Sequence, residues 1–338
     1  MRPTVKDVAT LAGVSPKTIS NVMNGIVFVR PETRERVEWA IRELGYVPNL
    51  SARSLRNGKS GVIALAMPDL STPYSAEMSH HFVEVAREQG WGIQFEETSI
   101  AGGLDRASSL VSRARQHLVD GVILNPVTLK ESEVANRSEL PPLVMIGEVR
   151  QSVADQVWVD SVAAARDMTE HLIGLGHRRI AAVGCVGLGF ETETARLRGE
   201  GYHQALRAAG LTPDGLLQLS CFTWTPGAAA EVVTRFLRDN ELPDAFFCFT
   251  DSLAIGVLSA LWSAGVSVPG DVSVAGFDDI ADGQFATPPL TTVTFDKRAF
   301  AECAFSLLVG RMTDSEAPLR QVTIPHAIVS RASAIRHD

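Results

Sequence analysis

No stretch of the 338-residue chain approaches the roughly 20 consecutive apolar residues of a membrane-spanning helix, so no membrane partner is expected. Residues Met1–Asp7 lack the apolar core of a secretory signal. The four cysteines (Cys185, Cys221, Cys248, Cys303) form no CxxC pair, which argues against a zinc site and a disulfide framework and for a reducing cytoplasm. The eight histidines show no HExxH spacing, and no GxSxG elbow is present. The run Gly184-Cys185-Val186-Gly187-Leu188-Gly189 has GxxGxG spacing, not the dinucleotide fingerprint, and reads as a loop between elements. No cofactor or metal is implied, and an enzyme is not expected. Internal repeats, low-complexity segments and a C-terminal leucine heptad are also missing.

What is present is an uneven distribution of charge. The whole chain carries −8, yet residues 1–60 hold ten lysines and arginines against five acidic residues. The segment is therefore +5, and the remaining residues carry −13. A small basic module tethered to an acidic body is the electrostatic pattern of a polyanion binder. The length exceeds one ordinary core and suits two or three domains.

Three short helices fit residues 5–45. Val5, Val8, Ala9 and Ala12 fall on one helical face, and Gly13 stops that helix. Ser15 and Pro16 suit the cap and first position of a second helix that turns Ile19, Val22 and Met23 inward. A third begins at Pro31, buries Val37, Ala40, Ile41 and Leu44, and ends at Gly45; Arg30 is a poor cap for it. Helix, glycine turn, helix is the helix-turn-helix arrangement. Residues 46–60 read as a linker in which Leu50–Arg56 forms about two helical turns, too short to be stable without a partner.

From residue 61 strands alternate with helices. Val62–Ala66, Gly92–Glu96, Gly121–Leu124, Leu143–Ile146, Val157–Val159, Ile180–Val183, Ala245–Phe249 and Val272–Ala275 read as strands. Ala76–Gln89, Ala163–Leu175 and Leu253–Ala264 read as helices among them. That alternation predicts parallel sheets covered on both faces, and the length predicts two lobes.

With these residues in view, the chain resembles the LacI/GalR family of transcriptional regulators from end to end. Thr4-Val5-Lys6-Asp7-Val8-Ala9, Ala12-Gly13-Val14-Ser15, Thr18-Ile19-Ser20 and Asn24-Gly25 are similar to its headpiece signature. Pro31–Val37 and Leu44–Asn49 continue that signature, and Ala52-Arg53-Ser54-Leu55 resembles its hinge helix. In the body, Pro68–Ser71, Leu175–Ile180, Val266–Pro269 and Gly276-Phe277-Asp278-Asp279 recur at family spacing.

The resemblance implies an all-α helix-turn-helix headpiece joined to an α/β periplasmic-binding-protein-like body of two doubly wound parallel-sheet lobes. The expected divisions are a headpiece over 1–47 and a hinge over 48–60. A first lobe would take 61–160 and 291–323, and a second 161–290 and 324–338, with chain crossings near 160, 290 and 323. It also implies a homodimer that grips a near-palindromic double-stranded DNA operator and answers to a small-molecule effector, expected to be a sugar. A nucleobase- or corepressor-dependent regulator is the alternative, and a sugar-binding protein without DNA function a more distant one.

For the DNA module, Lys17 can donate to guanine O6/N7 and Asn21 can pair with adenine, with Pro16 beside them. The family position matching Asn21 is more often arginine, so the operator is expected to differ there. Thr18, Ser20 and Asn24 suit phosphates or sugar edges. By resemblance, Leu55 is a minor-groove wedge flanked by Arg53 and Arg56 on phosphates, against the plainer reading that Leu55 packs on the body.

For the effector, the resemblance places Ser71, Tyr74, Ser75, Arg198, Trp224 and Asp278 in a cleft between lobes. Three positions depart from the family pattern. Gly147 stands where aspartate is usual, with Glu148 as a substitute beside it; Thr250 replaces asparagine; Phe295 replaces a polar residue. These admit a larger or less hydroxylated ligand, or a purine. Asp251 and Asp278 have the alternative role of capping helices, and Tyr74 and Trp224 that of packing aromatics. Asp160 is expected to support a lobe crossing.

Overall fold

Thr4 and Asp7 close the start of the first helix reciprocally: Asp7 N–H donates to Thr4 Oγ1 at 3.4 Å, and Thr4 N–H donates to Asp7 Oδ2 at 2.8 Å. The computed structural model describes residues 3–23, 28–46, 60–98, 118–126, 141–187 and 192–336. The chain divides into two units, Met1–Ser60 and Gly61–Asp338.

In the first unit, α1 (Val5–Ala12), α2 (Pro16–Met23) and α3 (Pro31–Glu43) follow the expected caps. Gly13 ends α1 with φ of 61°, a conformation glycine adopts without strain. Ser15 Oγ accepts from Thr18 N–H at 3.1 Å at the start of α2. Arg30 makes no side-chain cap for α3. Val8, Ala9, Ala12, Ile19, Val22, Val37, Ala40 and Tyr46 form one core. Arg36 of α3 donates to the carbonyls of Ala12 and Gly13, capping the open end of α1 from another helix.

Among its described residues the second unit contains two six-stranded sheets. The first runs in the order β11, β5, β4, β3, β1, β2, with β1 (Val62–Met67), β2 (Gly92–Glu97), β3 (Gly121–Leu124), β4 (Leu143–Ile146), β5 (Asp155–Val159) and β11 (Gln321–Ile324). The second runs β12, β10, β9, β8, β6, β7, with β6 (Ile180–Val183), β7 (Gln218–Leu219), β8 (Ala245–Cys248), β9 (Ser273–Phe277), β10 (Thr291–Phe295) and β12 (His326–Val329). Among the described residues, all pairings are parallel except β10 with β12. Strands such as Leu143–Ile146 and Ala245–Cys248 are buried along their whole length, as expected where helices cover both faces of a parallel sheet.

Helices α4 (Pro73–Glu88) and α10 (Lys297–Thr313) pack with the first sheet. On the second sheet lie α5 (Ser161–Gly174), α6 (Glu193–Ala208), α7 (Pro226–Asp239) and α8 (Asp251–Ser263), with the short α9 (Ala281–Gln284) after β9. The chain passes between lobes at Asp160, between β5 and α5, and at Asp296, between β10 and α10. Each aspartate caps the helix it leads into, accepting from Ala163 N–H at 3.0 Å and Ala299 N–H at 2.8 Å. The second passage corrects the expected crossing near 290: β10 pairs with β9, so 291–295 belong to the second lobe's sheet. The third passage falls at Pro325, between β11 and β12.

Candidate ligand cleft and candidate DNA interface

The carboxyl ends of β1, β3, β4, β8, β9 and β10 face one cavity of about 210 Å³. Open parallel sheets bind ligands outside the carboxyl ends of their strands, where loops supply side chains and helix starts supply free N–H groups. The loop after β1 contributes Pro68, Asp69, Thr72, Tyr74 and Ser75; β3 and β4 lead into Asn125 and into Gly147 and Glu148. From the second lobe come Thr194 and Arg198 on α6, Trp224, Thr250 and Ser252, and Phe277 and Asp278 at the end of β9. Phe295 and Phe300 complete an apolar wall.

Arg198 is the centre of the polar side. Its Nη2 stands 3.4 Å from Glu148 Oε1, its Nη1 stands 3.6 Å from Asp278 Oδ1, and its Nη1 also donates to the Phe249 carbonyl. The guanidinium lies 3.4 Å over the centroid of the Phe277 ring. Glu148, from the first lobe, accepts from Ser161 Oγ at 2.8 Å and Thr194 Oγ1 at 3.0 Å, both of the second. A single carboxylate therefore ties the two lobes beside the cavity. Burial raises the Asp278 pKa to about 7, against the lowering pull of Arg198. Burial also holds the Tyr74 phenol above its usual value, so it is a neutral donor. The combination of carboxylates, a guanidinium, hydroxyls and aromatic faces can bind hydroxyl-bearing rings through charge-assisted hydrogen bonds and ring stacking.

Of the expected residues, Tyr74, Ser75, Glu148, Arg198, Trp224, Thr250 and Asp278 line this cavity. Ser71 does not; its hydroxyl donates to Asp69 Oδ1 at 2.6 Å, and Asp69 lines the cavity in its place. Thr250 also caps α8, accepting from Leu253 N–H at 3.2 Å. Asp251 neither caps nor lines the cavity: its oxygens accept from Ile280 N–H at 2.9 Å and Thr292 Oγ1 at 2.6 Å, anchoring the loop that carries Asp278. Gly147 has a physical reason to be glycine, with φ of +88° and a hypothetical Cβ only 2.8 Å from Asn125 Oδ1. Phe295 is buried edge-on to Tyr74 at 6.5 Å. Asn125, Thr194, Ser252 and Phe277 were missed; Thr194 lies one helical turn from Arg198 on α6, and that spacing was the available signal.

In the first unit, α2 presents Pro16 and Lys17 to solvent, with Thr18, Ser20 and Asn21 half-buried. The Thr18 hydroxyl is 2.9 Å from that of Ser15. Asn24, Arg53, Leu55 and Arg56 lie outside the described residues.

A helix-turn-helix unit on the same chain as a two-lobed, cleft-bearing α/β body defines a ligand-responsive DNA-binding regulator. The family model for bacterial regulatory proteins of the lacI family matches residues 4–49, and that for a periplasmic binding protein-like domain matches 169–334. The HTH-type transcriptional repressor PurR of Aliivibrio salmonicida is 31% identical over 337 residues, spanning 98% of each chain. The ribose operon repressor of Escherichia coli K12 is 33% identical over 335 residues, spanning 98% of this chain and 99% of that one. The solved structure of the Lac repressor dimer bound to operator and the anti-inducer ONPF superposes with a TM-score of 0.86 at 26% identity, covering 99% of this chain and 100% of that one. The chain belongs to the lacI family of bacterial regulatory proteins. Among the described residues, no helix is long and apolar enough to cross a membrane.

Proposed function

We propose that the protein is a homodimeric, cytoplasmic transcriptional repressor without enzymatic activity, whose operator affinity is set by a sugar bound in the cleft between the lobes. The observation that carries the effector half is Arg198 between the carboxylates of Glu148 and Asp278, each from a different lobe, beside Trp224. A ligand that engages these groups from both lobes favours one lobe arrangement and shifts the population of DNA-competent protein. On the DNA side, the exposed Lys17 and Pro16 and the polar Asn21 of α2 are the base-reading face, with Thr18, Ser20 and Asn24 on the backbone. Arg53, Leu55 and Arg56 act at the centre of the operator.

A nucleobase effector is the second reading, favoured by the aromatic wall of Tyr74, Phe277, Phe295 and Phe300, which suits a flat ring better than a fully hydroxylated one. Selection of binding sites from a random duplex pool with the full-length protein tests the DNA half. Enrichment of a near-palindrome is expected, and no enrichment with or without a mixture of sugars and nucleobases would overturn it.

A further inference from the structure

The segment from Asp278 to Ala281 is held at several points by side chains from other elements. Asp278 and Asp279 both hold positive φ, 108° and 48°, which non-glycine residues adopt only where the surroundings hold them. Within the second lobe the loop is held by Asp278 N–H donating to the Val293 carbonyl at 2.9 Å and by Asp251 accepting from Ile280 N–H at 2.9 Å. Arg331 Nη2 donates to Asp279 Oδ1 at 2.7 Å.

Two further bonds come from the other lobe. Glu77 of α4 accepts from Ala281 N–H through Oε1 at 2.6 Å, and Lys297 of α10 donates to the Asp279 carbonyl at 2.7 Å. The same two side chains pair with each other, Lys297 Nζ to Glu77 Oε2 at 2.5 Å. Ala281 opens α9, and Ile280 at the cap position has no side chain able to cap it. Glu77 therefore supplies that cap from the opposite lobe. Lys297 is buried, and an unpaired ammonium there would be costly, so Lys297 stays on Glu77 and the two side chains meet the loop as one donor–acceptor unit. One residue before this grip, Asp278 lines the cavity and faces Arg198.

We propose that Glu77 and Lys297 form an interlobe clamp on the backbone of residues 279–281, and that this pair positions Asp278 in the ligand cleft. The proposal rests on the cleft being the effector site. The clamp is more than an ion pair between α4 and α10: its specificity lies in matching an acceptor to the Ala281 N–H and a donor to the Asp279 carbonyl. The clamp holds only in a lobe arrangement that brings α4 and α10 onto the β9–α9 loop, so a ligand that displaces Asp278 loosens it and one that locks Asp278 onto Arg198 tightens it. Glu77 and Lys297 are positioning residues and touch no ligand. The charged groups around the clamp are Asp278, Asp279 and Arg331 of the second lobe and His81, one turn along α4 from Glu77, whose pKa burial lowers.

The test uses the full-length protein without ligand. Amide hydrogen exchange is followed in wild type, Glu77→Ala, Lys297→Met and the charge-reversed pair Glu77→Lys with Lys297→Glu. Each single change is expected to speed exchange of the Ala281–Gln284 amides by about tenfold or more while α5 is unchanged. The reversed pair is expected not to restore protection, because the donor and acceptor then face the wrong backbone groups. Protection equal to wild type in the single variants, equal speeding in α5, or full rescue by reversal would each overturn the clamp. The second readout is the Asp278 titration, read by carboxyl carbon-13 shifts and assigned with Asp278→Asn. In Glu77→Ala it is expected to fall by about one unit as the loop admits water, and an unchanged titration would overturn the positioning role. Neither arm needs an effector. Failure here therefore leaves the regulator reading standing, whereas an intact clamp in a protein that binds no sugar or nucleobase counts against that reading alone.

Discussion

Arg198 Nη1 and Asp278 Oδ1 stand 3.6 Å apart, and both side chains are withdrawn from solvent at the wall of the ligand cleft. Removing the guanidinium would leave Asp278 buried without its cation and would take from Glu148 its charged second-lobe partner, leaving only the hydroxyls of Ser161 and Thr194. Arg198→Ala is therefore expected to destabilise the body by about 3–5 kcal/mol, as measured by urea unfolding, and to abolish ligand binding. Stability and ligand affinity both near wild type would remove Arg198 from the centre of the site.

The burial of Asp278 makes a prediction about pH. Its pKa stands at about 7 in the folded protein, against an ordinary value of 3.8. Between those values the folded form retains a proton that the unfolded chain has released. Rising pH therefore favours unfolding through this window, and the penalty is complete above it. Asp278→Asn removes the penalty, so the variant should gain stability relative to wild type by up to a few kcal/mol between pH 4 and pH 8. A constant difference across that range would show that Asp278 titrates normally.

Gly13 and Arg36 make a local prediction in the helix-turn-helix unit. A Cβ at residue 13 would lie 2.8 Å from Arg36 Nη2 and sit on a backbone with φ of +61°. Gly13→Ala should cost about 1–2 kcal/mol by thermal unfolding of that transition, and Arg36→Met a similar amount through the lost cap of α1. Both should weaken binding to all operators alike, since neither touches a base edge. A changed sequence preference in either variant would contradict this structural role.

Lys17 and Asn21 should behave differently. Asn21→Arg is expected to change the preferred base at one position of each half-site, with a discrimination of about 1–3 kcal/mol. Lys17→Ala should relax selection at a neighbouring position. Identical selected sequences for wild type and both variants would move base reading off α2.

Much of the fold was legible because its signals are local. Val62–Met67 and Leu143–Ile146 are continuous apolar runs, and Gly13, Ser15 and Pro16 punctuate helices through local backbone and side-chain chemistry. The missed elements carry weaker patterns. β10 buries Thr291 and Thr292, which read as polar, and β11 and β12 are short edge strands with partly exposed faces. Family likeness places the second lobe crossing near 290, and the pairing of β10 with β9 puts it after β10. In the cleft, Arg198 and Asp278 were visible only through family likeness. Neither reading of Asp251, helix cap or ligand group, anticipates its anchoring role, because its hydrogen bonds to Ile280 and Thr292 join residues 29 and 41 positions away. The Glu77–Ala281 bond spans 204 residues and leaves no trace in local spacing.

The central claim is that ligand in the cleft sets operator affinity. Its most direct test is fluorescence anisotropy of the full-length protein on its selected operator duplex, with and without a saturating sugar or nucleobase that raises its melting temperature. A change in operator Kd of about tenfold or more, absent in Arg198→Ala, is the predicted result. An operator Kd unchanged at saturating ligand would contradict the account.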